Sequence, residues 1–138
     1  MHGDIIIKIH DSENYLLEKI VEVLTNTEGL EYNIENKIED LVCDNLIIKQ
    51  EKMQVFIEDN EIELTMTEYR ILLFLIKYPN QVLSHKQIYE AVWEKEYLFD
   101  DANVTSHISH IRKKIEPDPN HPIYIQTVRG IGYKFVKQ

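Results

Sequence analysis

The sequence predicts an α+β fold: a short antiparallel sheet, three helices and a C-terminal β-hairpin, with a small β-α-β segment in front. Three observations carry this reading. From Leu46 to Leu64, brief apolar runs alternate with polar turn residues, the pattern of a meander. From Tyr69 to Ile115, apolar residues recur at helical spacing, and the first two runs each follow a capping box. After Pro119, two extended runs flank Arg129-Gly130-Ile131-Gly132, whose glycines permit a tight reversal.

The elements follow in order. Ile5–Ile9 (IIIKI) reads as a strand. Leu16, Leu17, Ile20, Val23 and Leu24 mark one face of a helix, with Ser12 available as its cap and Gly29 just beyond its end. Glu31–Glu35 reads as a second strand. IIIKI is apolar on both faces, as in a strand covered from both sides. Residues 1–43 are therefore either a dimerisation element or a brace within the chain. The meander follows as Leu46–Lys49, Met53–Glu58 and Glu61–Leu64, with Asp59-Asn60 as a turn pair because Asn tolerates positive φ.

Thr65-Met66-Thr67-Glu68 is a T-x-x-E box opening a helix through Tyr69, Leu72, Leu73, Leu75 and Ile76, which stops at Pro79. Val82-Leu83 is a brief extended link. Ser84 to Gln87 forms a second box ahead of Ile88, Ala91, Val92 and Trp93. The third helix runs from about 102 to 115, with Val104, Ile108, Ile111 and Ile115 in one narrow stripe, and Pro117 and Pro119 end it. Ile123–Val128 and Tyr133–Val136 make the hairpin. Residues 44–138 thus have the order of a winged helix-turn-helix. One narrow apolar stripe anchors the third helix and leaves its other faces free for a major groove.

Composition bounds the function. The 138 residues (16.4 kDa) are 43 % hydrophobic and 28 % charged, which argues against a disordered chain. The longest wholly apolar run, Ile71–Ile76, is far short of the roughly 20 residues a membrane span needs. The acidic N-terminal flank and short apolar stretch do not make a secretory signal, so a cytoplasmic location is expected. Cys43 is the one cysteine, which excludes an internal disulfide. The net charge of −9 counts against nucleic acid, but residues 98–138 hold six of the 15 Lys/Arg and only four of the 24 Asp/Glu. No phosphate-binding loop, zinc-protease or nucleophile-elbow motif is present. No enzyme activity, metal or cofactor is expected.

LTMTEYRILLFLIKYPNQVLSHKQIYEAVW, then NVTSHISHIRKKIEPD, then IYIQTVRGIGYKF resemble the effector domain of OmpR/PhoB-type response regulators, over about Asp44 to Lys137. The resemblance implies a DNA-binding transcription regulator that often sits head-to-tail on direct repeats. It puts the third helix in the major groove and the wing near the minor groove. It implies base readout by Thr105, Ser106, Ser109 and His110. It implies backbone and minor-groove contacts by Arg112, Lys113, Thr127, Arg129 and Lys134. The loop with Glu94, Glu96, Tyr97, Phe99 and Asp100 would face RNA polymerase.

Ala102, Ser109 and His110 stand where many members carry basic residues. If Arg112, Lys113, Arg129 and Lys134 all reach phosphate, the log–log salt slope is about −3.6 per monomer. Useful affinity is then expected to need two copies side by side on double-stranded DNA, a homodimer at least there. Residues 1–43 resemble the first strand, helix and second strand of a receiver, with Asp11 near an acidic metal-binding position. They leave no room for the phosphoacceptor strand, so phosphorylation is not expected.

Blander readings accompany these. His107 and His110 could be a metal pair, but no supporting carboxylate or cysteine stands at ligand spacing. Tyr69, Phe74 and Trp93 suit a core better than a ligand cage. The 94–101 loop is either a solvated turn or a partner contact. The competing function is a winged-helix protein-interaction module, binding RNA polymerase or another regulator without sequence-specific DNA binding.

Overall fold

The computed structural model describes residues 3–7, 15–33, 38–97 and 101–137. The chain divides into two compact units, residues 1–37 and 38–138. The first holds helix α1 (Tyr15–Thr25), at whose end the Thr25 hydroxyl donates to the carbonyl of Val21. Its apolar positions recur at helical spacing, yet no α1 residue is buried. The expected strands do not form where they are described. Residues 3–7 and 31–33 lie outside any strand, and residues 8–9 and 34–35 of those runs lie outside the described residues. Ile5, Ile6 and Ile7 are 87, 90 and 65 % exposed. Apolar character alone does not make a strand, which needs a neighbour to take its N–H and C=O groups.

The second unit opens with a four-stranded antiparallel sheet in the order β1 (Leu41–Cys43), β2 (Leu46–Lys49), β3 (Gln54–Ile57), β4 (Asn60–Ile62). Leu41–Cys43 pairs with β2, so residues counted with the N-terminal extension belong to this sheet. Alternation sends Leu46, Ile48 and Val55 into the core. The β3–β4 turn is Glu58-Asp59, both left-handed (φ 48° and 67°), and Asn60 already pairs with Ile57. The turn lies one residue before the expected pair. Two left-handed residues match the right-handed strand twist, whichever side chains occupy them.

Helices α2 (Met66–Lys77) and α3 (His85–Trp93) begin at complete capping boxes on Thr65 and Ser84. Helix α4 (Asp101–Ile115) buries Val104, Ile108, Ile111 and Ile115, the expected stripe. The three helices pack on one another and close a core with the first sheet and Phe135. A second sheet has the order β5–β7–β6, from Val82–Ser84, Gly132–Phe135 and Ile125–Val128. The link Val82-Leu83 is therefore a third wing strand, paired to β7.

The two wing glycines act differently. Gly130 supplies φ +78° at the tip, with open space around it. Gly132 has no positive φ, but a Cβ there would lie 2.0 Å from the Leu83 carbonyl oxygen. Its missing side chain lets β5 approach.

Candidate nucleic-acid interface

The apolar stripe of α4 turns inward, so the opposite face must turn out. Thr105, Ser106, Ser109, His110 and Lys113 are all exposed. On the wing, Thr127 and Arg129 are exposed and Lys134 is half-buried. Helix face and wing are joined through two residues. The Tyr133 hydroxyl lies 3.4 Å from the Thr105 Oγ1, and the His85 ring meets the Tyr133 ring edge-on at 5.1 Å. Arg112 lies with its guanidinium 5.6 Å from the centre of the Tyr133 ring. Arg112 Nε and Nη2 donate to the Ile125 carbonyl at 3.1 and 2.8 Å, and Nη2 also donates to Thr127 Oγ1 at 2.8 Å. Arg112 is thus half-buried and turned toward the wing.

Lys114, next to Lys113 in sequence, is bound elsewhere. Its Nζ contacts Glu68 at 2.6 Å. Glu68, 2 % exposed, also accepts from the Thr65 N–H in its capping box. Burial pushes the Glu68 carboxyl up, but the Lys114 ammonium and the Thr65 bonds outweigh it and hold it below its usual 4.5. A lowered folded value means stability that is full above about pH 4.5 and is lost as the pH falls through it. Glu68→Gln should therefore flatten the acid side of the stability profile below that pH, measured by urea unfolding from pH 7 to 3. An unchanged acid limb would rule Glu68 out as a source of that dependence.

Glu116 was absent from the candidate residues. It stands just past the C-terminus of α4, where the helix dipole disfavours an anion. That placement is the signal that other donors hold it. Its carboxylate, in a 6 % exposed residue, accepts the backbone N–H groups of Ile123, Tyr124 and Ile125 at 3.0, 2.9 and 3.1 Å.

The loop after α3 begins with Glu94 in a left-handed cap (φ 55°). Glu94 and Glu96 are exposed, whereas Tyr97 is half-buried with its ring 5.6 Å from Tyr89. Phe99 and Asp100 lie outside the described residues. Trp93 stacks on Tyr89 at 4.8 Å, Tyr69 is buried, and Phe74 packs against the core. His107 and His110 stand edge to face with ring centres 6.4 Å apart. Among the described residues no group of three His, Cys, Asp or Glu side chains is placed to hold a metal ion. Cys43 is buried, and desolvation, with Asp44 adding to it, pushes its thiol up, which makes it a poor thiolate. No helix of the described residues is long and apolar enough to cross a membrane.

Residues 59–135 match the family described as transcriptional regulatory protein, C terminal. The chain belongs to this family. It is an effector domain of the OmpR/PhoB type, a family of transcription regulators rather than of enzymes.

The effector domain is 37 % identical over 94 residues to the alkaline phosphatase synthesis regulator PhoP of Bacillus subtilis, covering 68 % of this chain and 39 % of PhoP. Among solved structures it resembles DrrB, an OmpR/PhoB homolog of Thermotoga maritima, at 31 % identity and TM-score 0.62, over 88 % of this chain and 51 % of DrrB. It also resembles the DNA-binding domain of the response regulator AdeR, solved in complex with an intercistronic region. That match has 27 % identity and TM-score 0.59, over 71 % of this chain and 99 % of that domain. The chain spans less than half the length of the curated relatives it matches.

Proposed function

We propose that this chain is a sequence-specific, double-stranded-DNA-binding transcription regulator, acting in the cytoplasm. Helix α4 enters the major groove and the β6–β7 wing meets the neighbouring minor groove. The observation that carries this reading is continuity of surface. Thr105 on α4 and Thr127 on β6 are tied through Tyr133 and Arg112, so one polar face spans helix and wing.

Thr105, Ser106, Ser109 and His110 read base edges. Lys113, Thr127 and Lys134 contact the backbone, and Arg129, at the exposed tip, probes the minor groove. Two copies bind side by side on a direct repeat, and the loop with exposed Glu94 and Glu96 faces RNA polymerase. The reading assigns no phosphoacceptor within these 138 residues. The named relatives support it: regulators by name, one with its DNA-binding domain solved on an intercistronic region.

The test is selection from a pool of random duplexes at two salt concentrations. A direct repeat is expected, with half-sites about 10 bp apart. With Lys113, Arg129 and Lys134 on phosphate or in the groove, the log–log salt slope should be about −2.7 per monomer. Arg129→Ala should weaken binding about tenfold and make the slope about 0.9 shallower. No enrichment and no salt dependence would transfer the function to the protein-interaction reading, which the net charge of −9 favours.

A further inference from the structure

We infer that Arg112 is a positioning residue that clamps the wing to the recognition helix, rather than a phosphate contact. The inference rests on the DNA-binding reading and adds to it the device that holds the two contact surfaces in register.

The geometry begins with β6. It lies at one edge of its sheet, paired only to β7. The N–H and C=O of Ile125 are nevertheless both held by side chains. Glu116 accepts its N–H at 3.1 Å, and Arg112 donates to its C=O at 3.1 and 2.8 Å. Residues 112 and 116 are one helical turn apart. The end of α4 therefore grips a single wing residue by both backbone groups.

Arg112 reaches one step further along the same strand, to the Thr127 hydroxyl at 2.8 Å. Nε and both hydrogens of Nη2 are consumed by these three bonds, three of the five guanidinium donors. The Tyr133 ring lies against the guanidinium. A planar fork makes this set of contacts; a point-charge ammonium does not. The clamp also sets a direction on Thr127. Because its oxygen accepts from a cation, its own O–H is biased to donate outward, the polarity that suits a phosphate oxygen.

The test uses the full chain with three variants, Arg112→Lys, Arg112→Ala and Thr127→Ser, read in two ways. Backbone hydrogen exchange in the free protein reads the clamp without DNA. Amides of residues 125–128 should exchange about tenfold faster in both Arg112 variants, while those of α2 stay unchanged as the control for folding. Unchanged exchange in the wing overturns the clamp whatever happens on DNA.

The second reading is affinity for the duplex selected from the random pool, over a salt series. Arg112→Lys should bind about as poorly as Arg112→Ala, roughly tenfold weaker than wild type. Thr127→Ser, which keeps the hydroxyl, should bind as wild type. Rescue by Arg112→Lys, with a slope about 0.9 shallower only in Arg112→Ala, would make Arg112 a phosphate contact and overturn the inference. If wild type retains no duplex, the DNA-binding reading falls, and the clamp stands or falls on exchange.

Discussion

Replacing Glu116 by Ala should lower the unfolding free energy by about 3 kcal/mol. The size follows from which donors lose water access. Ile123 is 53 % exposed, so solvent can take over its N–H. Tyr124 and Ile125 are 4 and 0 % exposed, and their N–H groups would be left dry. An unpaired buried donor costs about 1–3 kcal/mol, and two in the lower half of that range, about 1.5 kcal/mol each, give the total. Glu116→Gln should cost less, about 1.5 kcal/mol, because one carbonyl oxygen still accepts while the new NH₂ faces the backbone donors. Glu51→Ala, at an exposed position, should stay within about 0.5 kcal/mol. For a unit of this size, 3 kcal/mol lowers Tm by roughly 15 °C. A loss of under about 1 kcal/mol for Glu116→Ala would mean that water fully replaces the carboxylate and that the loop before β6 is not held by it.

Gly132→Ala is expected to be of similar or greater severity, by a different route. The backbone at Gly132 needs no positive φ, so conformational freedom is not the issue. The added methyl would sit 2.0 Å from the Leu83 carbonyl oxygen and 2.8 Å from the Cα of Ser84. Backbone cannot turn aside as a side chain can. The β5–β7 pairing from Val82↔Lys134 to Ser84↔Gly132 must part, at about 3 kcal/mol or more. Ser84 is also the cap of α3, so the strain reaches a helix start. Gly130→Ala provides the contrast. It meets open space at φ +78° and should cost about 1 kcal/mol from backbone strain alone. Thermal unfolding of both variants orders them; equal losses would remove close strand approach as the reason for glycine at 132.

Much of the second unit was legible because its signals are local. Thr65 and Glu68, like Ser84 and Gln87, announce helix starts within four residues, and both boxes form. Val104, Ile108, Ile111 and Ile115 recur at one period, and all four are buried. The strand errors share one cause. Ile5–Ile7 have strand composition but form no strand among the described residues, whereas Val82-Leu83 reads as a link and pairs with β7. Strand status is decided by a second segment, 50 residues away in that case.

The candidate interface divides in the same way. Exposure of Thr105, Ser106, Ser109, His110 and Lys113 follows from the period of the buried stripe. What each cation faces does not follow from it. Lys113 and Lys114 are neighbours in sequence, yet Lys114 is bound to Glu68, 46 positions earlier. Arg112 shares their run of charge but turns toward β6. Amino-acid order alone determined helix starts, the buried stripe and the exposed face, because these depend on contacts within a turn or two. Only the folded chain decided which strands pair, why Gly132 must be glycine, and that the charged groups of Lys114, Glu116 and Arg112 are bonded within the fold. Those outcomes depend on groups distant in sequence reaching within 3 Å of one another.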